Sequence, residues 1–232
     1  MKRIIAGFSI LCATFTLNAQ TRFGLQGGVN LSRVAAKSGA VKATSNIKYG
    51  YVAGAVAEID LGRLIQFRPE LNFIRKGGKS TIRTPYYDLV TTRKSDIVLN
   101  YIQFLPNFVL HLNAGSKKLF VGVGPELSFG ISGKSFDEIN IAGSGTNYTT
   151  TLNRDVKFDG DKNPTDDKLH LKAFDLGLNT MIGYKISDPL FVSLSSTLGL
   201  LNISPKENSS FKNNSLNLKF GYFFGASNRI KK

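Results

Sequence analysis

The chain has one cysteine, two histidines and no tryptophan among its 232 residues. Cys12 is its sole thiol and lies near the N-terminus, so the rest of the chain has neither a disulfide nor a thiolate metal site. His111 and His170 are too far apart in sequence to form a metal-binding motif. No stretch reaches the roughly 18 uninterrupted apolar residues that a membrane-spanning helix needs. Acidic residues are also scarce, 16 against 30 basic ones, which gives a formal charge of +14.

The first residues differ in kind from the rest. Lys2 and Arg3 form a basic tip, Ile4 to Leu17 is mostly apolar, and small Ala19 closes the segment. That order predicts a secretory signal peptide over 1–19, cut before Gln20. Cys12 would leave with it, and bulky Leu11 before Cys12 argues against a lipoprotein site. A secreted chain rarely meets nucleic acid, so the basic excess points either to affinity for anionic surfaces, lipid phosphates among them, or to a well-solvated surface.

Beyond the leader the dominant signal is alternation. In FGLQGGVNLS at 23–32, Phe23, Leu25, Val29 and Leu31 share one parity, and Gly24, Gln26, Gly28, Asn30 and Ser32 share the other. Strand side chains alternate faces, so this segment has one apolar face and one small or polar face. The same period recurs over 49–60, 65–76, 99–112, 119–132, 171–185, 190–202 and 214–225. Eight strands result, joined alternately by short gaps (61–64, 113–118, 186–189) and longer polar ones (35–48, 77–98, 133–170, 203–213). An even strand number with such alternating connections is the signature of an outer-membrane barrel. A β-sandwich would carry more charge on its polar face, and its loops would not alternate in length. The expected fold is therefore all-β: an eight-stranded antiparallel transmembrane β-barrel, an up-and-down meander over 20–225, with a basic tail at 226–232. Its apolar face meets lipid and its glycine-rich polar face fills the lumen, and closure leaves no backbone group unpaired in the bilayer.

A lumen of eight strands is just filled by side chains. The charges predicted to face it are Glu58, Asp60, Arg68, Glu70, Lys76, Glu126, Asp175, Lys185 and Lys219. Charges of both signs in so narrow a space should pair, because an unpaired buried charge is costly. Glu58, Arg68, Glu70, Glu126, Asp175, Lys185 and Lys219 are thus expected to form an internal charge network. RPELNF at 68–73 and GPELSF at 124–129 are near copies. Together with Pro106 they predict a row of outward prolines, Pro69, Pro106 and Pro125, across three neighbouring strands. Proline donates no ladder hydrogen bond, so the row is either a weak seam that could dock a partner or a set of bulges.

Several chemistries are excluded by spacing. GGKS at 77–80 and SGKS at 132–135 lack the upstream glycine of a phosphate loop, since Phe73 and Ser128 stand there. DGDKNPTDD at 159–167 departs from calcium-loop spacing and is expected to be part of a solvated, mobile acidic loop. A His–Ser or His–Asp dyad would imitate a hydrolase, but His111 and His170 fall at opposite rims of the barrel. No enzyme, cofactor or metal site is expected.

The segments FGLQGGVNLS, GYVAGAVAEIDL (50–61), IQFRPELNFIRKGG (65–78), LNYIQFLPNFVL (99–110), FVGVGPELSFGISGK (120–134), FDLGLNTMIGYKI (174–186) and LGLLNISP (198–205) span most of the chain. In their order and prolines they resemble the PorT-like family of small outer-membrane barrels of Bacteroidetes-type bacteria. The resemblance implies fold and location, and the family's namesake takes part in protein export across the outer membrane. One departure is the C-terminus: such barrels usually end on an aromatic residue, whereas GASNRIKK follows Phe224 here. Two functions are carried forward. One is a non-enzymatic accessory component of an envelope or protein-export assembly; the other is a stand-alone surface barrel whose loops bind external ligands or host surfaces. Both place a monomeric barrel in the bacterial outer membrane with its termini in the periplasm. Its expected partners are outer-membrane lipid, lipopolysaccharide and other envelope proteins.

Overall fold

A computed structural model describes residues 21–38, 41–42, 44–112, 118–143 and 145–224. The expected signal peptide and the tail at 226–232 lie outside these residues. The described strands are β1 Thr21–Ser38, β2 Val41–Lys42, β3 Thr44–Asn46, β4 Lys48–Asp60, β5 Ile65–Tyr86 and β6 Leu89–His111. There follow β7 Leu119–Gly143, β8 Thr146–Lys157, β9 Leu169–His170, β10 Phe174–Lys185, β11 Leu190–Gly199 and β12 Ser209–Phe224. Antiparallel pairing runs β1–β4–β5–β6–β7–β10–β11–β12 and returns from β12 to β1, from Phe23↔Phe224 to Ser38↔Ser209. These eight strands close a ring, the fold expected from the alternation.

The barrel is inside-out. Outward Phe23, Leu25, Leu71, Phe108, Phe129, Leu194 and Phe220 are exposed, whereas inward Asn30, Arg68, Glu70, Asn107, Asn179 and Lys219 are buried. Apolar surface of this extent is incompatible with water and fits a bilayer, where only a closed ladder satisfies the backbone. Inward glycines make room for rings of the residues paired with them on the neighbouring strands. A Cβ on Gly183 would lie 2.1 Å from Cζ of Phe120, and one on Gly221 would lie 2.2 Å from Cζ of Phe191.

Two buried apolar clusters plug the lumen. Val56, Val109, Phe120, Met181, Phe191 and Phe223 fill the end where the chain termini and short turns lie. Val34, Val52, Ile74, Leu99, Tyr101, Val156, Leu171, Ile203 and Phe211 fill the long-loop end. The second cluster includes a cap: residues 156–158 and 169–171 fold over the mouth and bond to each other and to Ile203. Its ties are Leu171 N–H to Lys157 O at 2.9 Å, Lys172 N–H to Ile203 O at 2.9 Å and Ile203 N–H to Phe211 O at 3.0 Å.

The long connections differ from expectation. Residues 77–98 continue the β5–β6 hairpin as far as Tyr86↔Leu89, and β7 continues into a hairpin with β8 from Gly133↔Val156 to Gly143↔Thr146. Backbone pairing carries on after the apolar alternation stops, because a strand outside lipid no longer needs one greasy face. β5 to β8 thus form a sheet extension beyond the rim, and the acidic run at 159–167 follows it outside any strand. At the other boundary two expected strands were too long: β10 begins at Phe174, with Leu171 in the cap, and β11 ends at Gly199.

Candidate functional site

Between the two plugs the inward charges sit in three clusters. Nearest the chain termini, Glu58 accepts from Arg68 Nη2 at 2.6 Å and from Lys185 Nζ at 2.9 Å. The Arg68 guanidinium lies 4.3 Å from the Phe120 ring centroid, 4.9 Å from that of Phe191 and 5.5 Å from that of Phe223. Arg68 is fully buried. It therefore exchanges water for a carboxylate on one edge and three aromatic faces, a favourable setting for a desolvated cation.

In the second cluster Glu70 pairs with Lys219 across the lumen and accepts from Gln26 Nε2 at 2.7 Å. In the third, Glu126 pairs with Lys76 and accepts from Gln103 Nε2 at 2.6 Å and Ser128 Oγ at 2.7 Å. Asp175 stands apart. It accepts from Asn213 Nδ2 at 2.8 Å, and its buried Oδ1 has no hydrogen-bond partner among the described residues. Asn72 Nδ2 donates to Glu70 Oε2 at 3.3 Å and to Gln103 Oε1 at 3.4 Å, which joins the second cluster to the third. Lys185 and Lys219 brace the lumen between strands that are not neighbours in the ring.

The prolines fall into direct register. Pro69 opposes Pro106. The β6–β7 register steps from Phe104↔Leu127 to Phe108↔Val123, which places Pro106 opposite Pro125 within the interval. The β4–β5 register likewise steps from Val56↔Glu70 to Ile59↔Phe67, around Pro69. Opposed antiparallel residues exchange two N–H···O bonds or none. Pro69↔Pro106 is a pair of the second kind, so its ladder is continuous. Pro106 and Pro125 instead turn their missing donors toward each other, and the β6–β7 ladder is interrupted there. The one register-shifting bulge described on this pair lies elsewhere, at Asn100/Tyr101.

Outside the apolar belt the structure brings together residues that alternation did not single out. Asp137 on the extension is buried and accepts from Arg93 Nε at 3.3 Å; it also bonds Ser95 and Arg154. Burial works against its charge, but these donors win and hold its carboxyl below the usual range. On the cap, His170 Nδ1 meets Asp159 at 2.8 Å and Nε2 meets Asp166 at 2.6 Å. Asp166 and then Asp159 push the imidazole pKa up, which favours an imidazolium that donates to both. Asp159, which also accepts the Asp161 N–H, and Asp166 are held down in turn. The acidic run is thus turned onto a histidine. No metal-holding group of three or more His, Cys, Asp or Glu exists among the described residues. His111 sits at the opposite end against Gln66, at 2.6 Å.

Sequence reasoning missed Gln26, Asn72 and Gln103 as members of the lumen clusters, although their inward parity was legible. It also missed the cap. The signal there is weak, since Leu171 and Ile203 are single apolar residues in polar surroundings.

A closed ring with a lipid-compatible exterior and a plugged polar interior defines an outer-membrane β-barrel protein. The sequence pattern of the outer membrane protein beta-barrel domain matches residues 18–205, and the chain belongs to that family. No curated protein sequence matches the chain. Among solved structures it is similar to Neisserial surface protein A, at 12% identity and a TM-score of 0.44 over 87% of this chain and 97% of that one. It is also similar to Ail, the attachment invasion locus protein of Yersinia pestis, at 11% identity and a TM-score of 0.37 over 88% and 98% of the two chains. OprG from Pseudomonas aeruginosa gives 10% identity and a TM-score of 0.39 over 90% and 98%.

Proposed function

We propose that this protein is a sealed, non-enzymatic surface barrel that works through its sheet extension, with its termini and short turns in the periplasm. The carrying observation is the contrast between its ends. The lumen is plugged twice, which argues against transport, while β5 to β8 hold an ordered sheet outside the membrane belt and the cap closes the mouth beneath it. Binding elements held on a rigid scaffold are a usual place for function. The ligand is then external, and the barrel is its anchor.

A second reading, an accessory component of an envelope or export assembly in the manner of PorT-like barrels, has one specific support. The proline row leaves the β6–β7 ladder interrupted on the lipid-facing wall, where a membrane partner could dock. Photo-crosslinking residues at Thr150 on the extension and at Phe104 beside the row separate the two in living cells. Adducts with external ligands from Thr150, with only lipid at Phe104, support the surface barrel. A dominant protein adduct from Phe104 overturns it in favour of the accessory role.

A further inference from the structure

The outward wall carries a groove where the extension leaves the barrel. It has a volume of about 520 Å³ and is lined in part by Tyr51, Arg75, Ile131, Lys134, Phe136 and Asp155. Its position relative to the apolar belt is set by register. On β5 the outward series runs Leu71, Phe73, Arg75, so Arg75 is the first charge above the belt. On β7 the series ends at Phe129 and Ile131, and Lys134 follows beyond the bulge. Tyr51 stacks on Phe73 at 5.9 Å between centroids, which continues the apolar wall up into the groove.

Neither Arg75 nor Lys134 has an ion-pair partner among the described residues, although most basic side chains of the lumen do. Asp155 opposes Lys134 in the β7–β8 register, yet the two do not pair. The groove therefore offers two uncommitted cations and one carboxylate, directly above an apolar surface made for acyl chains. Basic side chains at that depth are attracted to lipid phosphate, and a guanidinium binds phosphate in a forked, bidentate manner.

We propose that this groove binds the phosphorylated headgroup of an acylated lipid, with Arg75 and Lys134 on the phosphate and the chains along Tyr51, Phe73 and Ile131. The inference rests on insertion of the apolar belt in a bilayer and is independent of which ligand the extension binds. Native mass spectrometry of the full barrel, released from detergent, tests it with lipid A, dephosphorylated lipid A and inorganic phosphate as probes. Lipid A should be retained roughly thirty-fold more tightly than its dephosphorylated form, the scale of two basic side chains at a membrane surface. R75Q/K134Q should abolish that preference, R75K should keep only part of it because an ammonium retains the charge without the fork, and K212Q, outside the groove, should leave it intact. Heat-dependent gel mobility of each variant confirms a folded barrel separately from binding. Equal retention of the two lipids, or an unchanged preference in R75Q/K134Q, overturns the site. Displacement of lipid A by inorganic phosphate alone would reduce the groove to a simple anion site and overturn the lipid assignment.

Discussion

Replacing Glu58 by glutamine removes one negative charge and leaves two buried cations facing each other. Arg68 is 2.6 Å from that carboxylate and Lys185 is 2.9 Å away, and the three side chains are 0–6% exposed. Removing one member of a buried ion pair costs about 3–5 kcal/mol, because the remaining charge is stranded out of water. Here two charges are stranded, so E58Q should sit at the upper end of that range. The three ring faces around Arg68 offset part of the loss, by about 2 kcal/mol or less. Unfolding by urea in lipid vesicles, read as the gel-mobility difference between folded and unfolded barrel, gives the number. Replacing the whole group in E58L/R68M/K185M should recover most of the stability, since well-packed apolar substitutes for a buried pair are often neutral. A loss below about 1 kcal/mol in E58Q, the range of a solvated pair, would refute the dry, cross-braced lumen.

The proline row predicts fast amide exchange beside Pro106 and Pro125 and slow exchange along the neighbouring β5–β6 ladder. P106A/P125A should close the interruption and slow that exchange; uniform protection in the native chain would remove the interruption. The cap should be pH-sensitive. His170 has a raised pKa, so its contribution is full below its ordinary 6.5 and is lost as pH rises through the folded value. Asp159 and Asp166 are depressed, so theirs is present above the ordinary 3.8 and lost as pH falls through their folded values. Protection factors over 156–171, with exchange taken relative to its intrinsic base-catalysed rate, should therefore be highest in mildly acidic to neutral solution and fall on the alkaline side. H170Q should abolish that alkaline fall. G221V should cost about 1–3 kcal/mol by overpacking against Phe191, and the added F191A should relieve the clash. Equal stability of G221V and the native chain would mean that the plug is loosely packed.

The barrel was legible because a bilayer forces strict period-2 alternation. Phe23 to Leu31 and Leu190 to Leu200 can be sorted into faces by parity alone, and the inward position of Glu58, Arg68 and Glu70 follows in the same step. Which charge meets which is a different matter. The Lys219–Glu70 and Lys185–Glu58 pairs span 149 and 127 residues of sequence, and only the closed ring brings them together. The extension was read as loop because Lys79 to Tyr86 and Phe136 to Ala142 have no lipid to face and so no alternation to display. Their strand character lies in backbone pairing, to which an amphipathic template is blind. The cap escaped for a related reason. Leu171 and Ile203 become a hydrophobic cluster only when the chain folds back over the mouth.

The central claim, a barrel with its apolar face to lipid and its polar face inward, is tested most directly by a cysteine scan of β11. With Cys12 replaced by alanine, single cysteines from Val192 to Leu198 would carry a fluorophore, read in vesicles against a quencher confined to the lipid chains. The structure predicts quenching that alternates residue by residue, strong at 192, 194, 196 and 198 and weak at 193, 195 and 197. A uniform profile, or one strongest at Ser193, Ser195 and Thr197, would contradict it.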